Sequence, residues 1–340
     1  MKRILALVLA VVMVMSLACV ASAADVKTYK VGCSIYTYDD NFMTLYRNEI
    51  LDYFKTLETD TVKYDVTMAD GKNDMAEQTN QVQNFITQGM DVIILNLVQT
   101  SSADAIIDMV VEAGIPLVLI NREPLAYDKD GKTLDEAYEG ILDNPTVCYV
   151  GADARQSGTF QGEIVASLEN HGDVNGDGVI NYIMIEGDPE NIDAQYRTEY
   201  SIKALTDAGK EVECLYEYLD NWDQTTAQQD VANALSQYGD KIEVVFCNND
   251  AMALGALQSI QQAGRTVGKD IYLVGVDALA EAVQDVLDGN MTGTVLNDDV
   301  GQATAAAEAT KLYVEGSAVE QYYWVDYVKV TKDNASEYVK

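Results

Sequence analysis

The sequence predicts an α/β protein of two lobes, each built on a parallel sheet. Three observations carry that expectation. Short apolar, β-branched runs alternate with amphipathic stretches of helical spacing almost from end to end. Ten such runs occur, too many for one modest sheet and suited to two sheets of about five strands. The 340 residues suffice for about two domains at roughly 100–200 residues each.

The first element stands outside both lobes. Lys2 and Arg3 precede an apolar stretch from Ile4 to Leu17 that gives way to small residues, the tripartite design of a secretory signal. It is too short for a comfortable membrane span. Ala21-Ser22-Ala23 offers a cleavage site that would remove residues 1–23. Ser16-Leu17-Ala18-Cys19 offers the alternative, a lipoprotein signal with Cys19 as the lipidated first residue. Both readings export the protein, either free in the periplasm or anchored through Cys19 at the outer face of the cell membrane. Beyond residue 27 no apolar run approaches the roughly 20 residues of a spanning helix.

The expected strand at 29–36 contains Val31-Gly32-Cys33-Ser34-Ile35, and the helix at 42–57 follows with Phe42, Leu45, Ile50, Leu51 and Phe54 near helical spacing. Strands at 62–68, 91–96 and 115–120 alternate with helices at 74–88 and 102–113. A polar, acidic excursion over 125–144 reads as a surface insertion. The strand at 146–150 then runs into Gly151-Ala152-Asp153, and Ser157, Gly158 and Gly162 permit close packing of the helix at 155–169. That helix ends at Glu169-Asn170-His171-Gly172, where an exposed cation suits the last turn. Strands at 179–186, 211–217, 242–247, 270–276 and 291–296 alternate with helices at 193–208, 224–237, 250–264, 278–288 and 301–315. Apolar strands joined by crossover helices make parallel sheets covered on both faces, so each half is a Rossmann-like βαβ series.

Composition narrows the chemistry. With 55 acidic against 22 basic residues the net charge is −33, which argues against a grip on nucleic acid or anionic lipid. A single histidine, His171, removes most Ser-His, Cys-His and His-metal chemistries. Cys33, Cys148, Cys214 and Cys247 could form disulfides in an oxidising compartment. The strand contexts of all but Cys214 favour buried free thiols.

In open parallel sheets ligands bind beyond the carboxyl ends of the strands. The residues there are Tyr36 to Phe42, Asn96, Asn121, Asp188 to Arg197, Trp222, Asn248 to Asp250, Asp277, and Asn297 to Asp298. Helix capping accounts for single acids such as Asp39, Asp250 and Asp298. It does not account for a series of junctions that carry planar hydrogen-bonding groups together with Phe42 and Trp222. Such groups suit an uncharged ligand dense in hydroxyls, and aromatic faces suit the C–H face of a pyranose. No G-x-G-x-x-G or Walker loop calls for a nucleotide.

A second constellation is Asp173-Val174-Asn175-Gly176-Asp177-Gly178-Val179-Ile180-Asn181, which follows the opening of a calcium loop. Asp173, Asn175, Asp177, the Val179 carbonyl and Asn181 are candidate ligands, with Gly178 at the sharp turn. The twelfth position holds Met184 where a helix–loop–helix calcium site requires Glu, so a bidentate carboxylate must come from elsewhere in the fold.

The blocks Tyr36-Thr37-Tyr38-Asp39-Asp40-Asn41-Phe42-Met43, Asn121-Arg122-Glu123-Pro124, Asn248-Asn249-Asp250-Ala251-Met252-Ala253 and Gly275-Val276-Asp277, with the calcium loop, resemble the periplasmic galactose/glucose-binding branch of the type I periplasmic binding proteins. These are sugar receptors of ABC transporters. The resemblance covers nearly the whole exported chain. It implies that Asp40, Asn121, Asp193, Arg197, Asn249, Asp277 and Asn297 hydrogen-bond a monosaccharide. Phe42 and Trp222 would sandwich the ring, and Tyr36 would line the pocket. Asn191 stands where that family keeps a histidine. The implied calcium ligands are Asp173, Asn175, Asp177, Val179, Asn181 and the remote Glu243. The 125–144 segment is longer than the family's loop.

One lobe would then comprise 28–150 plus 299–324 and the other 154–296 plus 328–340. A three-segment hinge at 151–153, 297–299 and 325–327 would join them. Closure about the hinge would trap the sugar without catalysis, giving a monomer whose partners are a membrane permease and, as a further candidate, a chemoreceptor. The rival class is a glycosidase or sugar isomerase using Asp40, Asp193 and Asp277 in acid–base work. A sugar-sensing transcriptional regulator would need a helix-turn-helix head, which the sequence lacks, and conflicts with the export signal.

Overall fold

The computed structural model describes residues 25–124 and 144–339. The export signal, Cys19 and residues 125–143 of the excursion lie outside the described residues.

The first lobe opens with β1 (Lys27–Ile35), α1 (Asn41–Leu57), β2 (Val62–Asp70), α2 (Met75–Gln88), β3 (Val92–Leu95), α3 (Ala103–Glu112), β4 (Leu117–Ile120) and β5 (Val147–Gly151). The second contains α4 (Ala154–Ala166), β6 (Val179–Glu186), α5 (Ile192–Asp207), β7 (Glu211–Leu219), α6 (Gln224–Tyr238), β8 (Val244–Cys247), α7 (Asp250–Gln262), β9 (Tyr272–Val274), α8 (Ala280–Asp288) and β10 (Gly293–Leu296). The chain then returns to the first lobe with α9 (Asp299–Glu315) and β11 (Tyr322–Trp324), and ends in the second with β12 (Val328–Thr331).

Two six-stranded sheets result, ordered β11-β5-β4-β3-β1-β2 and β12-β10-β9-β8-β6-β7. In the first sheet β1 runs parallel to both β2 and β3, so Val31 and Cys33 face one helical layer while Gly32 turns to the other. One face buries Val31, Cys33 and Ile35 with Phe54 of α1 and the alanines Ala303, Ala306 and Ala307 of α9. The opposite face buries Ile93 and Leu95 with Phe85 of α2 and Ile106 of α3. The second sheet is covered in the same way, by α6, α7 and α8 on one side and by α4 and α5 on the other. The helices α4 and α5 approach closely: a Cβ on Gly162 would collide with the Ser201 carbonyl, and one on Gly158 would lie 2.8 Å from the Arg197 carbonyl. This is the close packing that the small residues of 157–162 predict.

The sheets hold two strands beyond the ten expected. β11 and β12 are three and four residues long, too short to show periodicity. β12 also pairs antiparallel to β10, from Gly293 opposite Thr331 to Leu296 opposite Val328, so the second sheet is mixed rather than wholly parallel. The reason is the short passage over 325–327, which re-enters the sheet without a helix to reverse its direction.

Helix starts shift by a residue or two. Asp40, not Asp39, caps α1 and accepts the Met43 N–H at 2.7 Å. Asn249, not Asp250, caps α7 through Met252 N–H. Asp250 is instead buried, accepting from Leu279 N–H at 2.9 Å and the Thr294 hydroxyl at 2.7 Å. Asp298 caps α9 as expected. α4 stops at Ala166, and His171 lies beyond it with Nδ1 2.7 Å from the Ala166 carbonyl, at one of the helix's last acceptors. Cys33, Cys148 and Cys247 are buried free thiols, while Cys214 is free and exposed. Burial pushes the Cys33 thiol up to about 12.

Candidate functional site: the cleft between the lobes

The carboxyl ends of both sheets face one another across a narrow cleft that leaves an internal volume of only about 30 Å3. From the first lobe come Tyr36, Asp40, Phe42 and Met43 at the β1–α1 junction, and Asn121 and Arg122 after β4. From the second come Asn191 and Arg197 at the start of α5, Trp222 after β7, Asn249 before α7 and Asp277 after β9. Asn297, in the passage after β10, completes the lining. Phe42 and Trp222 thus reach one space from opposite lobes.

Local structure holds these groups. Asp40, Asn191 and Asn249 are the N-caps of α1, α5 and α7, so three helix starts point at the cleft. The second oxygen of Asp40 accepts the Tyr36 hydroxyl at 2.6 Å. Asn297 accepts from Gln302 at 2.6 Å and donates to Asp277 at 3.3 Å, which fixes both planes. Arg197 donates to the Asn248 carbonyl at 2.8 Å and to the Tyr327 hydroxyl at 3.1 Å, and its guanidinium stands 5.7 Å from the Trp222 ring centre. Asn121, Trp222 and Asp277 all have positive φ, at 61°, 69° and 117°. Such backbone costs of order 1–3 kcal/mol per residue and gathers at functional sites. The Trp222 ring lies so close over Gly187 that a Cβ there would collide with it.

Two acids here carry perturbed protons. Burial raises Asp277 to about 7, with Arg197 opposing the rise and Asp40 adding to it. Burial also raises Asp193 to about 6 against the pull of Arg197 and Arg122. Among residues expected at the sugar, Asp193 does not line the cleft: it is 3% exposed in the first turn of α5, beside Arg197. The other ten all do.

Met43 and Arg122 line the cleft but were not among the expected sugar contacts. Arg122 follows Asn121 directly, and an arginine beside a strand end was the available signal. Its guanidinium stacks 3.6 Å from the Tyr36 ring centre. Nη1 donates to the Val98 carbonyl at 2.7 Å and to Asp188 of the other lobe at 3.2 Å. Nε and Nη2 of Arg122 and Nε of Arg197 are buried donors without a partner. An unpaired buried donor costs about 1–3 kcal/mol, so the cleft is built to meet acceptor oxygens. The lobes also touch where the Thr100 hydroxyl donates to the Glu190 carbonyl at 2.9 Å and the Ser101 hydroxyl to the Glu190 carboxylate at 2.9 Å. The structure is therefore closed.

The loop at 173–181 lies on the second lobe, away from the cleft. Glu243, 1% exposed, reaches it from the residue before β8 and accepts the N–H groups of Asn175 and Asn181, each at 2.9 Å. Asp173 accepts from Gly176 and Gly178, Asn175 from Asp177, and Asp177 from Val179. The amide end of Asn181 lies 3.2 Å from a Glu243 oxygen and 3.4 Å from the Val179 carbonyl. No group of three Asp, Glu, His or Cys side chains that could hold a metal gathers among the described residues.

Residues 31–318 match a periplasmic binding protein domain family. The chain belongs to the periplasmic binding protein family. The D-galactose/methyl-galactoside binding periplasmic protein of Haemophilus influenzae is 35% identical over 333 residues, spanning 94% of this chain and 95% of that protein. A Rhizobium meliloti protein named for rhizopine binding is 34% identical over 320 residues, spanning 94% of each. Among solved structures, an ABC transporter solute binding protein of Bacillus halodurans with bound myo-inositol superposes with a TM-score of 0.76 at 28% identity, covering 94% of this chain and 99% of that one. The two α/β lobes with predominantly parallel sheets are the type I periplasmic binding protein fold. These relatives are solute-binding proteins.

Proposed function

We propose that this periplasmic binding protein captures a monosaccharide, D-galactose or D-glucose, between its closing lobes and delivers it to the permease of an ABC transporter. The observation that carries the reading is the cleft itself. Phe42 and Trp222 face one space from opposite lobes, and the walls between them carry planar amides, carboxylates and unpartnered guanidinium nitrogens. In this reading Asp40, Asn121, Asn191, Asn249, Asp277 and Asn297 exchange hydrogen bonds with ring hydroxyls. Arg122 and Arg197 donate to ring oxygens, and Tyr36 braces Asp40. Asp193 acts from behind, as a counter-charge to Arg197. The same arrangement argues for a receptor rather than a glycosidase: Asp40 is committed to a helix cap and a tyrosine, and Asp193 lies among the guanidinium groups of Arg197 and Arg122. The relative with bound myo-inositol gives a second reading, a cyclitol of the same ring size.

Calorimetric titration with D-galactose, D-glucose, D-ribose and myo-inositol tests the proposal. One-to-one binding of a hexose, recovered unchanged after incubation, is expected. Absence of binding to every member of the panel, or chemical turnover of the sugar, would overturn it.

Calcium at the 173–181 loop is part of the proposal. Asp173, Asn175, Asp177, the Val179 carbonyl, Asn181 and Glu243 would hold it, and the ion would tie the loop to β8. None of the three carboxylates is in an ion pair among the described residues. We also propose that the protein acts as a monomer after export, released at Ala23 or anchored at Cys19, with a chemoreceptor as a second possible partner of the closed form.

A further inference from the structure

Arg122 is held in an unusual way. Its side chain is 1% exposed, its flat face lies on Tyr36, and only Nη1 finds hydrogen-bond acceptors, leaving Nε and Nη2 unpartnered in the wall of the cleft. The carboxylate that Nη1 meets belongs to the other lobe: Asp188, in the loop after β6, with its side chain 12% exposed. A buried guanidinium needs a counter-charge, and this is its one ion pair among the described residues. Because the two residues sit on separate lobes, opening the cleft removes that partner.

We infer that Asp188 is a positioning residue of the binding site, which reaches across the seam on closure and orients the Arg122 fork toward the ligand. The inference rests on the sugar-binding reading above and names the group that couples closure to recognition. With Asp188 in place, Nη1 is anchored at two points and the guanidinium plane is fixed, so Nε and Nη2 point at ligand oxygens already oriented. Without Asp188 the guanidinium keeps the Val98 carbonyl, the Tyr36 face and the charge of Asp193 without an ion pair to it, and can turn about the single hydrogen bond that remains. The neighbouring contact of Glu190 with Ser101 crosses the same seam through two side chains that do not line the cleft. It therefore separates two roles: holding the lobes together and aiming Arg122.

The test is calorimetric and stopped-flow titration of the full exported chain with D-galactose and D-glucose. Asp188→Asn is expected to weaken binding at least about tenfold, mainly through faster release, while Glu190→Ala changes it by less than about threefold. The ligand-free melting temperature of Asp188→Asn should stay at the wild-type value. In an Arg122→Met background, Asp188→Asn should cost nothing further, because the group it positions is gone. If Arg122→Met folds poorly, Arg122→Lys serves the same cycle, since a point charge lacks the fork to be oriented. Unchanged affinity of Asp188→Asn would overturn the inference while leaving the sugar-binding reading intact. So would an equal loss in the Arg122 variants, or an equal loss from Glu190→Ala. A wild-type chain that binds no sugar would overturn both.

Discussion

Replacing Glu243 by Gln tests the clasp between the 173–181 loop and β8. The carboxylate accepts three hydrogen bonds, from the amides of Asn175 and Asn181 at 2.9 Å and from the Asn181 side chain at 3.2 Å. Gln keeps one acceptor oxygen and presents an NH2 group where the other stood, so one main-chain N–H loses its acceptor and meets a donor. A hydrogen bond to a charged group contributes about 1.5–3 kcal/mol, and the remaining contacts weaken to neutral ones, so the sum is about 3–4 kcal/mol. At about 2–4 °C per kcal/mol for a domain of this size, the lobe should melt about 10 °C lower. Differential scanning calorimetry in chelator measures this, and a shift below about 2 °C would refute the clasp. The metal is read in a second arm. Calcium at 100 times its dissociation constant should stabilise wild type by about 2.7 kcal/mol. A melting curve that does not respond to calcium would refute the ion but not the carboxylate.

Asp277→Ala should weaken sugar binding by about 100-fold or more and abolish the change in Trp222 fluorescence, and retained affinity would contradict the placement of Asp277 at the ligand. Gly187→Ala should displace the Trp222 ring and weaken binding with little change in ligand-free stability, as read by calorimetry and by tryptophan emission. Asp277, at about 7, Asp193, at about 6, and Glu123, at about 7, are all raised by burial, so the folded chain holds protons that the unfolded chain releases near pH 4. Their stabilising contribution is complete below about pH 4 and disappears as pH rises through about 6–7, so the ligand-free melting temperature should fall between pH 5 and pH 8, and a rise would refute the sign. Sugar hydroxyls favour ionised Asp277, so binding near pH 7 should release protons, measurable as a dependence of binding enthalpy on buffer.

Alternation of strands and helices made the architecture legible, because the period of apolar residues reports burial directly. Of the eleven residues expected at the sugar, ten lie at strand ends that converge on one cleft. Asp193 is the exception. It is buried in the first turn of α5 beside Arg197, and sequence spacing alone does not tell such a position from one on the cleft wall. Asp39 and Asp40 are adjacent and chemically identical, so only backbone geometry decides which caps α1. Asn and Asp tolerate positive φ, so Asn121 and Asp277 carry a weak local signal for it, whereas Trp222 carries none and its backbone is set by its surroundings. β12 is too brief to announce a direction, and the pairing of Arg122 with Asp188 exists only once two lobes meet.

The threefold passage of the chain between lobes also dictates when they can fold. The first sheet begins at Lys27, yet its edge strand β11 and the helix α9, whose alanines cover Val31 and Cys33, come from residues 299–324. The second sheet waits for β12 at 328–331. During synthesis neither core can close before residues 299–331 have emerged, so the nascent chain cannot bury its apolar surface lobe by lobe. For a family of exported proteins that delay is useful: it keeps the polypeptide threadable until translocation is finished, and makes folding on the far side of the membrane a late event involving both lobes.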